Sequence, residues 1–131
     1  MKNSPIFESF IEDYNNISIG NKLSVLNDCA SFCVDEKFDV HIVFFDETQS
    51  VHIISYIKII AENTRQQAYE ILLEANYLAV LDGSFSITPD KKYIAYNESY
   101  PIVKITPFEL EVIIYRVIKI SQKTLFNYHS I

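Results

Sequence analysis

A chain of 131 residues that is 49% hydrophobic and 14% aromatic can bury roughly two thirds of its unfolded surface around one core, so a single domain over residues 1–131 is expected and a disordered tail is excluded. The formal net charge of -6, with basic residues scattered rather than striped along one face, repels phosphate and argues against nucleic acid as a partner. Glu8, Glu12 and Asp13 stand where a signal peptide needs an unbroken apolar run, and Glu74 interrupts the most apolar helix, so a cytoplasmic protein without membrane insertion is expected.

Ser4 can cap a first helix with Pro5 at its first position, and Ile6, Phe7, Phe10, Ile11, Tyr14 and Ile17 fall on one face. Gly20 is expected to end it, as a residue that tolerates positive φ. Apolar, β-branched runs follow near Asp28 to Asp35, Phe38 to Phe45 and Val51 to Ile60. The linker from Asp46 to Ser50 is short and polar, so the last two runs read as an antiparallel hairpin. Cys29 and Cys33 lie on the first run, where four residues of strand separate their Cα atoms by about 13 Å, beyond disulfide reach. The pair is also a poor zinc site, and buried structural thiols are expected.

Thr64 caps a second helix, and Gly83 sits just past its end. Its core stripe holds Ala68, Ile71, Leu72, Ala75, Leu78 and Ala79, while Tyr69, Leu73 and Val80 widen the apolar arc to roughly 220°. A helix on a sheet needs only about 100°. Full burial in its own core would explain the width, but so small a domain has little material to cover both sides of a helix. A self-complementary dimer is the more economical reading. Asn76 lies beside that second face, where its amide can bond across a symmetry axis, to local backbone or to water.

A short strand Phe85-Ser86-Ile87, a Pro89-Asp90 turn, a strand from Tyr93 to Tyr96 and a loop lead to a third helix. Thr106 and Glu109 form a capping box around Pro107 at the first helical position. Leu110, Ile113, Ile114, Val117 and Ile118 make its buried stripe, with Arg116, Lys119 and Lys123 on a solvated side. The class is therefore α+β, in the order helix, three strands, helix, two strands, helix.

Catalytic signatures are missing. There is no phosphate-binding glycine loop, dinucleotide fingerprint or H-E-x-x-H, and two glycines are too few to build a phosphate cradle, which excludes an ATP-driven foldase. His41 and His52 share the hairpin, where a metal or acid-base pair is conceivable, but no third ligand is evident. Asp35, Glu36 and Asp39 surround a strand-to-strand turn, where carboxylates usually meet solvent. Ser24, Ser31 and Ser55 lack the glycine context of a nucleophile elbow. Neither an enzyme nor a cofactor is expected.

What remains is apolar surface. Phe7, Phe10, Ile11 and Tyr14 span about 140° of the first helix, wider than docking requires, and Ala30, Phe32 and Val34 line one side of the first strand. Core packing is expected to absorb about half of these side chains. If that strand lies at a sheet edge, its free N–H and C=O groups can pair with an extended peptide while a groove against the helix takes alternate side chains.

The Leu72-Leu73-x-Ala75-Asn76 pattern, followed by Asp82-Gly83 and a hairpin, resembles the CesT-type (class I) type III secretion chaperones, as does the element order over nearly the whole chain. The last helix lacks a tryptophan that members often carry. The resemblance implies a twisted antiparallel sheet flanked by helices and a homodimer whose seam holds Tyr69, Leu73, Asn76, Val80 and Phe85. It also implies that the first helix and strands, with Phe7, Phe10, Ile11, Tyr14, Ala30, Phe32 and Val34, hold the extended N-terminal segment of a secreted effector until the secretion apparatus takes it. The secretion ATPase is a further partner under this reading. A dimeric adaptor for a folded partner and a small ligand-binding domain around the two histidines are the rival expectations.

Overall fold

The computed structural model describes residues 3–20, 22–78 and 83–128. Among them the chain runs α1 (Pro5–Ile17), β1 (Cys29–Val34), β2 (Phe38–Phe45), β3 (Ser50–Ile59), α2 (Arg65–Leu78), β4 (Ser84–Ile87), β5 (Tyr93–Pro101) and α3 (Pro107–Tyr128), with short 3-10 turns at Glu62–Thr64 and Ile102–Lys104. The order is the expected one. All strand pairs are antiparallel, in the spatial order β1-β2-β3-β5-β4, and the β2–β3 hairpin closes with Phe45 opposite Ser50.

Period-two alternation decides which side of this sheet is covered. Phe38, Val40, Ile42 and Phe44 of β2, with Val51, Ile53 and Ile57 of β3, are buried. Phe7 of α1 stacks on Phe44 with ring centroids 5.5 Å apart, and the buried Ser55 and Ser121 hydroxyls join β3 to α3 at 2.6 Å. α1 and α3 thus lie side by side on one face, and α2 sits against β4. On the opposite face His41, Val43, His52, Ile54 and Tyr56 are half-buried, and Asp39 and Phe45 are exposed.

Helix ends follow the local chemistry with two corrections. The capping box is present: Thr106 N–H donates to Glu109 Oε1 and Glu109 N–H to Thr106 Oγ1, each at 3.1 Å. Ser4 precedes α1, with Pro5 in its first turn, but makes no side-chain cap. Its N–H and hydroxyl donate instead to the two carboxylate oxygens of Asp28, each at 2.6 Å, which ties the start of α1 to the start of β1. α1 stops at Ile17, where the extended Ser18 donates its N–H to Tyr14 O at 2.9 Å. Gly20 lies beyond that stop and has no positive φ. Gly83 is needed for space: a Cβ there would sit 2.2 Å from Asn97 O and 2.6 Å from Glu98 Cγ.

β5 runs to Pro101, five residues past the expected end. The extension carries a buried polar cluster. Glu98 is fully buried and accepts from Tyr96 Oη at 2.9 Å, Tyr100 Oη at 2.6 Å and Arg116 Nη2 at 2.6 Å. Arg116, expected on a solvated face, therefore reaches back from α3 to the sheet. Burial pushes the Glu98 carboxyl up, but the donors Arg116, Tyr100 and Tyr96 more than offset this and hold it below the ordinary carboxylate range. Burial and the adjoining Glu98 carboxylate raise the Tyr96 phenol, which keeps it a donor.

Candidate interaction surfaces

The sheet has two edges, and their backbone hydrogen bonds can be followed residue by residue. Phe44 N–H donates to Asp28 O at 2.9 Å, while Asp28 N–H donates to Asn3 Oδ1 at 3.1 Å, so by alternation Ala30, Phe32 and Val34 turn their polar groups toward β2. Cys29, Ser31 and Cys33 turn theirs outward. Cys29 is already taken: its N–H donates to Leu26 O at 3.1 Å and its C=O accepts from Leu26 N–H at 2.9 Å. Asn27 and Asp28 between them have φ of 53° and 58°, which a tight two-residue hairpin requires and which Asn and Asp tolerate. Among the described residues no hydrogen bond takes the N–H or C=O of Ser31 or Cys33. Two donors and two acceptors therefore stand open along the middle of β1.

The other edge is closed differently. Asn76 on α2 donates from Nδ2 to Phe85 O at 3.0 Å and accepts Phe85 N–H on Oδ1 at 2.8 Å. Its amide mimics one residue of a neighbouring strand, which realises the local-backbone alternative expected for this side chain. β4 is four residues long and runs into Thr88 and Pro89, which further blunts that edge.

The first expected site is partly absorbed by the core. Phe7, Phe10, Ile11, Tyr14 and Ala30 are buried within the single chain, because α1 packs beside α3 and stacks Phe7 on Phe44 of β2. With these five packed in the core of the single chain, an aspartate at Phe10 would disturb the fold. Phe32 and Val34 remain partly buried, on the helix side of β1 beside the open groups of Ser31 and Cys33.

At the expected seam, a groove of about 490 Å³ runs between α2 and β4, lined by Tyr69, Leu72, Leu73, Asn76, Phe85 and Ile87 among others. Leu73 is 69% exposed, whereas Phe85 is buried against Tyr96. Tyr69 is half-buried. Val80 and Ala79 lie outside the described residues.

Other residues singled out by the sequence stay apart. Register places His41 opposite Ile54 and His52 opposite Val43, so the histidines are two residues out of step. His41 Nδ1 lies 2.7 Å from Ser31 Oγ and His52 Nε2 lies 3.2 Å from Ser50 Oγ. Desolvation lowers the His52 pKa and outweighs the opposing effect of the neighbouring Asn97 side chain, which favours the neutral ring near pH 7. Among the described residues no group of three or more His, Cys, Asp or Glu side chains is placed to hold a metal. Both cysteines are free, with Cys29 half-buried and Cys33 exposed, because they share the face opposite α1 and α3. Desolvation by neighbours and the Asp39 carboxylate across the strand pair raise the Cys33 thiol above its ordinary value, which disfavours the reactive thiolate. Asp35, Glu36 and Asp39 are exposed.

No family model matches this sequence, and no curated protein is similar to it at a meaningful level. Solved structures are. A chain of the HopA1–SchA chaperone–effector complex superposes with a TM-score of 0.72 over 92% of this chain and 93% of its own length, at 10% identity. The fold is that of the class I type III secretion chaperones. A chain of the ExsC–ExsE complex matches at a TM-score of 0.66 and 13% identity, covering 92% of this chain and 90% of that one. The Yersinia pestis type III secretion chaperone SycH, in complex with a stable fragment of YscM2, matches at 0.67 and 12% identity, covering 89% and 98%. Among the described residues no helix is long and apolar enough to cross a membrane.

Proposed function

We propose that this chain is a non-catalytic, cytoplasmic type III secretion chaperone that, as a homodimer, binds an extended N-terminal segment of a secreted effector and delivers it export-competent to the secretion apparatus. The fold supports the class, and the open run on β1 supports the mode. A client strand added there gains up to four backbone hydrogen bonds, each worth about 0.5–1.5 kcal/mol net, against roughly 2–5 kcal/mol lost in ordering a disordered segment. Hydrogen bonds alone barely balance that cost. The client must also bury alternate side chains on the helix side beside Phe32 and Val34, and a dimer offers two such edges.

The seam is the α2–β4 groove, where Leu73, Tyr69 and the outer side of β4 meet their symmetry copies. Asn76 is committed to Phe85, so its part is to hold β4 in place beneath that contact. The excess negative charge keeps the free dimer soluble.

Ser31→Pro tests the edge. Proline removes the outward N–H of an edge residue and leaves the β1–β2 ladder, carried by Ala30 and Phe32, in place. Co-expression with neighbouring reading frames should yield a co-eluting client with the natural chain and at least tenfold less with Ser31→Pro, at unchanged far-ultraviolet circular dichroism. Stoichiometric client on a folded Ser31→Pro chain would remove the edge from the account.

A further inference from the structure

The outer side of α3 is apolar where a solvated side was expected. Phe108, Val112 and Tyr115 are 65%, 48% and 62% exposed. With Lys119 they follow the spacing i, i+4, i+7, i+11, a single ridge along the helix, diametrically opposite the buried Leu110, Ile113 and Val117. Exposed apolar side chains in a contiguous run mark an interaction surface more often than scattered ones do.

The charge beside the ridge narrows the occupant. Lys119 lies over the Tyr115 ring, 5.2 Å from its centroid, and Lys123 follows one turn later. Among the described residues no carboxylate lies within ion-pair distance of either lysine. Of the nearby acids, Glu109 is tied to the Thr106 N–H at the start of α3, and Glu111 is half-buried on one flank. The chain as a whole carries -6, with Glu109 and Glu111 toward the N-terminal end of the ridge. It is therefore the C-terminal half, around Tyr115, Lys119 and Lys123, that forms a basic, apolar patch in a negative background.

We infer that this ridge docks an amphipathic helix with acidic flanks, supplied by a partner protein other than the effector segment held at β1. A straight ridge at helical spacing fits against an opposing helix, and carboxylates on that helix would meet Lys119 and Lys123. The inference is independent of the client site, which uses a different element.

The probe is a synthetic 22-residue helix with leucines at i, i+4, i+7 and i+11 and glutamates on both flanks, compared with a twin carrying lysine at every glutamate. Nuclear magnetic resonance titration into the isotope-labelled chain should shift amides of residues 108–123 with the glutamate peptide. Fluorescence anisotropy should show at least tenfold weaker binding of the lysine twin. Phe108→Ser with Tyr115→Ser should abolish the response at unchanged circular dichroism, since both side chains are mostly exposed, and Lys119→Glu with Lys123→Glu should invert the preference between peptides. The inference is overturned by no binding at millimolar peptide, by shifts centred elsewhere, by equal affinity for the twins, or by a Phe108→Ser, Tyr115→Ser chain that loses self-association, which would mean that a second copy covers the ridge.

Discussion

Arg116→Met should lower stability by about 3 kcal/mol, the low end of the range for stranding a buried charge because the arginine itself is partly exposed, and should lower the midpoint of thermal unfolding by roughly 10 °C. Glu98 has no exposed surface and takes two bonds from Arg116 Nε as well as one from Nη2, so removing the guanidinium leaves a carboxylate with only the Tyr96 and Tyr100 hydroxyls. The pH dependence separates this cause from a simple loss of packing. In the natural chain the folded-state pKa of Glu98 is depressed, so its contribution is complete above the unfolded-state value and is lost as pH falls through the folded-state value. Without Arg116, burial dominates and raises the folded-state pKa, so the variant gains stability relative to the natural chain as acid protonates Glu98. Urea unfolding at pH 7 and pH 4 should show the difference between the two chains narrowing at pH 4. Glu98→Gln in the Arg116→Met background should recover much of the loss at pH 7. A deficit below 1 kcal/mol at pH 7, or one that widens in acid, would contradict this view of the cluster.

Leu73→Glu should convert a dimer into a monomer. The side chain is 69% exposed on the single chain, so within one molecule the change costs little, within about 0.5 kcal/mol. A two-fold seam brings the substitution in twice, placing two like charges where two leucines would each bury apolar area worth about 25 cal/mol per Å². The dimer constant should weaken at least 100-fold, read by sedimentation equilibrium, while the circular dichroism spectrum stays the same. A variant that still sediments as a dimer would move the seam away from α2.

The two predictions sit at opposite ends of what the sequence could show. The Thr106–Glu109 box, Pro5 and the β2–β3 hairpin were legible because each depends on residues a few positions apart, and local geometry is the same whatever packs around it. The Glu98 cluster was not. Asn97-Glu98-Ser99 reads as a loop by composition, Arg116 falls among lysines, and the strand partner that holds them together lies over forty residues upstream. Only the alternation Tyr96, Glu98, Tyr100 hinted at a strand with one polar side turned inward.

The candidate sites divide in the same way. Helical spacing showed that Phe7, Phe10, Ile11 and Tyr14 share a face, but periodicity is identical whether that face meets a core or a client, and here it joins the core with Phe44 and α3. The converse holds on α3, where Arg116, Lys119 and Lys123 read as a solvated flank although Phe108, Val112 and Tyr115 share that side of the helix. Which strand lies at an edge depends on the order β1-β2-β3-β5-β4, which follows from long-range pairing. The blocking of Cys29 by Leu26 and of Phe85 by Asn76 could be seen only once backbone partners were in hand.

Amide hydrogen exchange at Ser31 and Cys33, followed with and without the co-purifying client, tests the proposed function most directly. The account predicts fast exchange at both amides in the free chain and strong protection in the complex, with Cys29 already slow in both because Leu26 O holds its N–H. Client-bound chains in which Ser31 and Cys33 exchange as fast as in the free protein would contradict it.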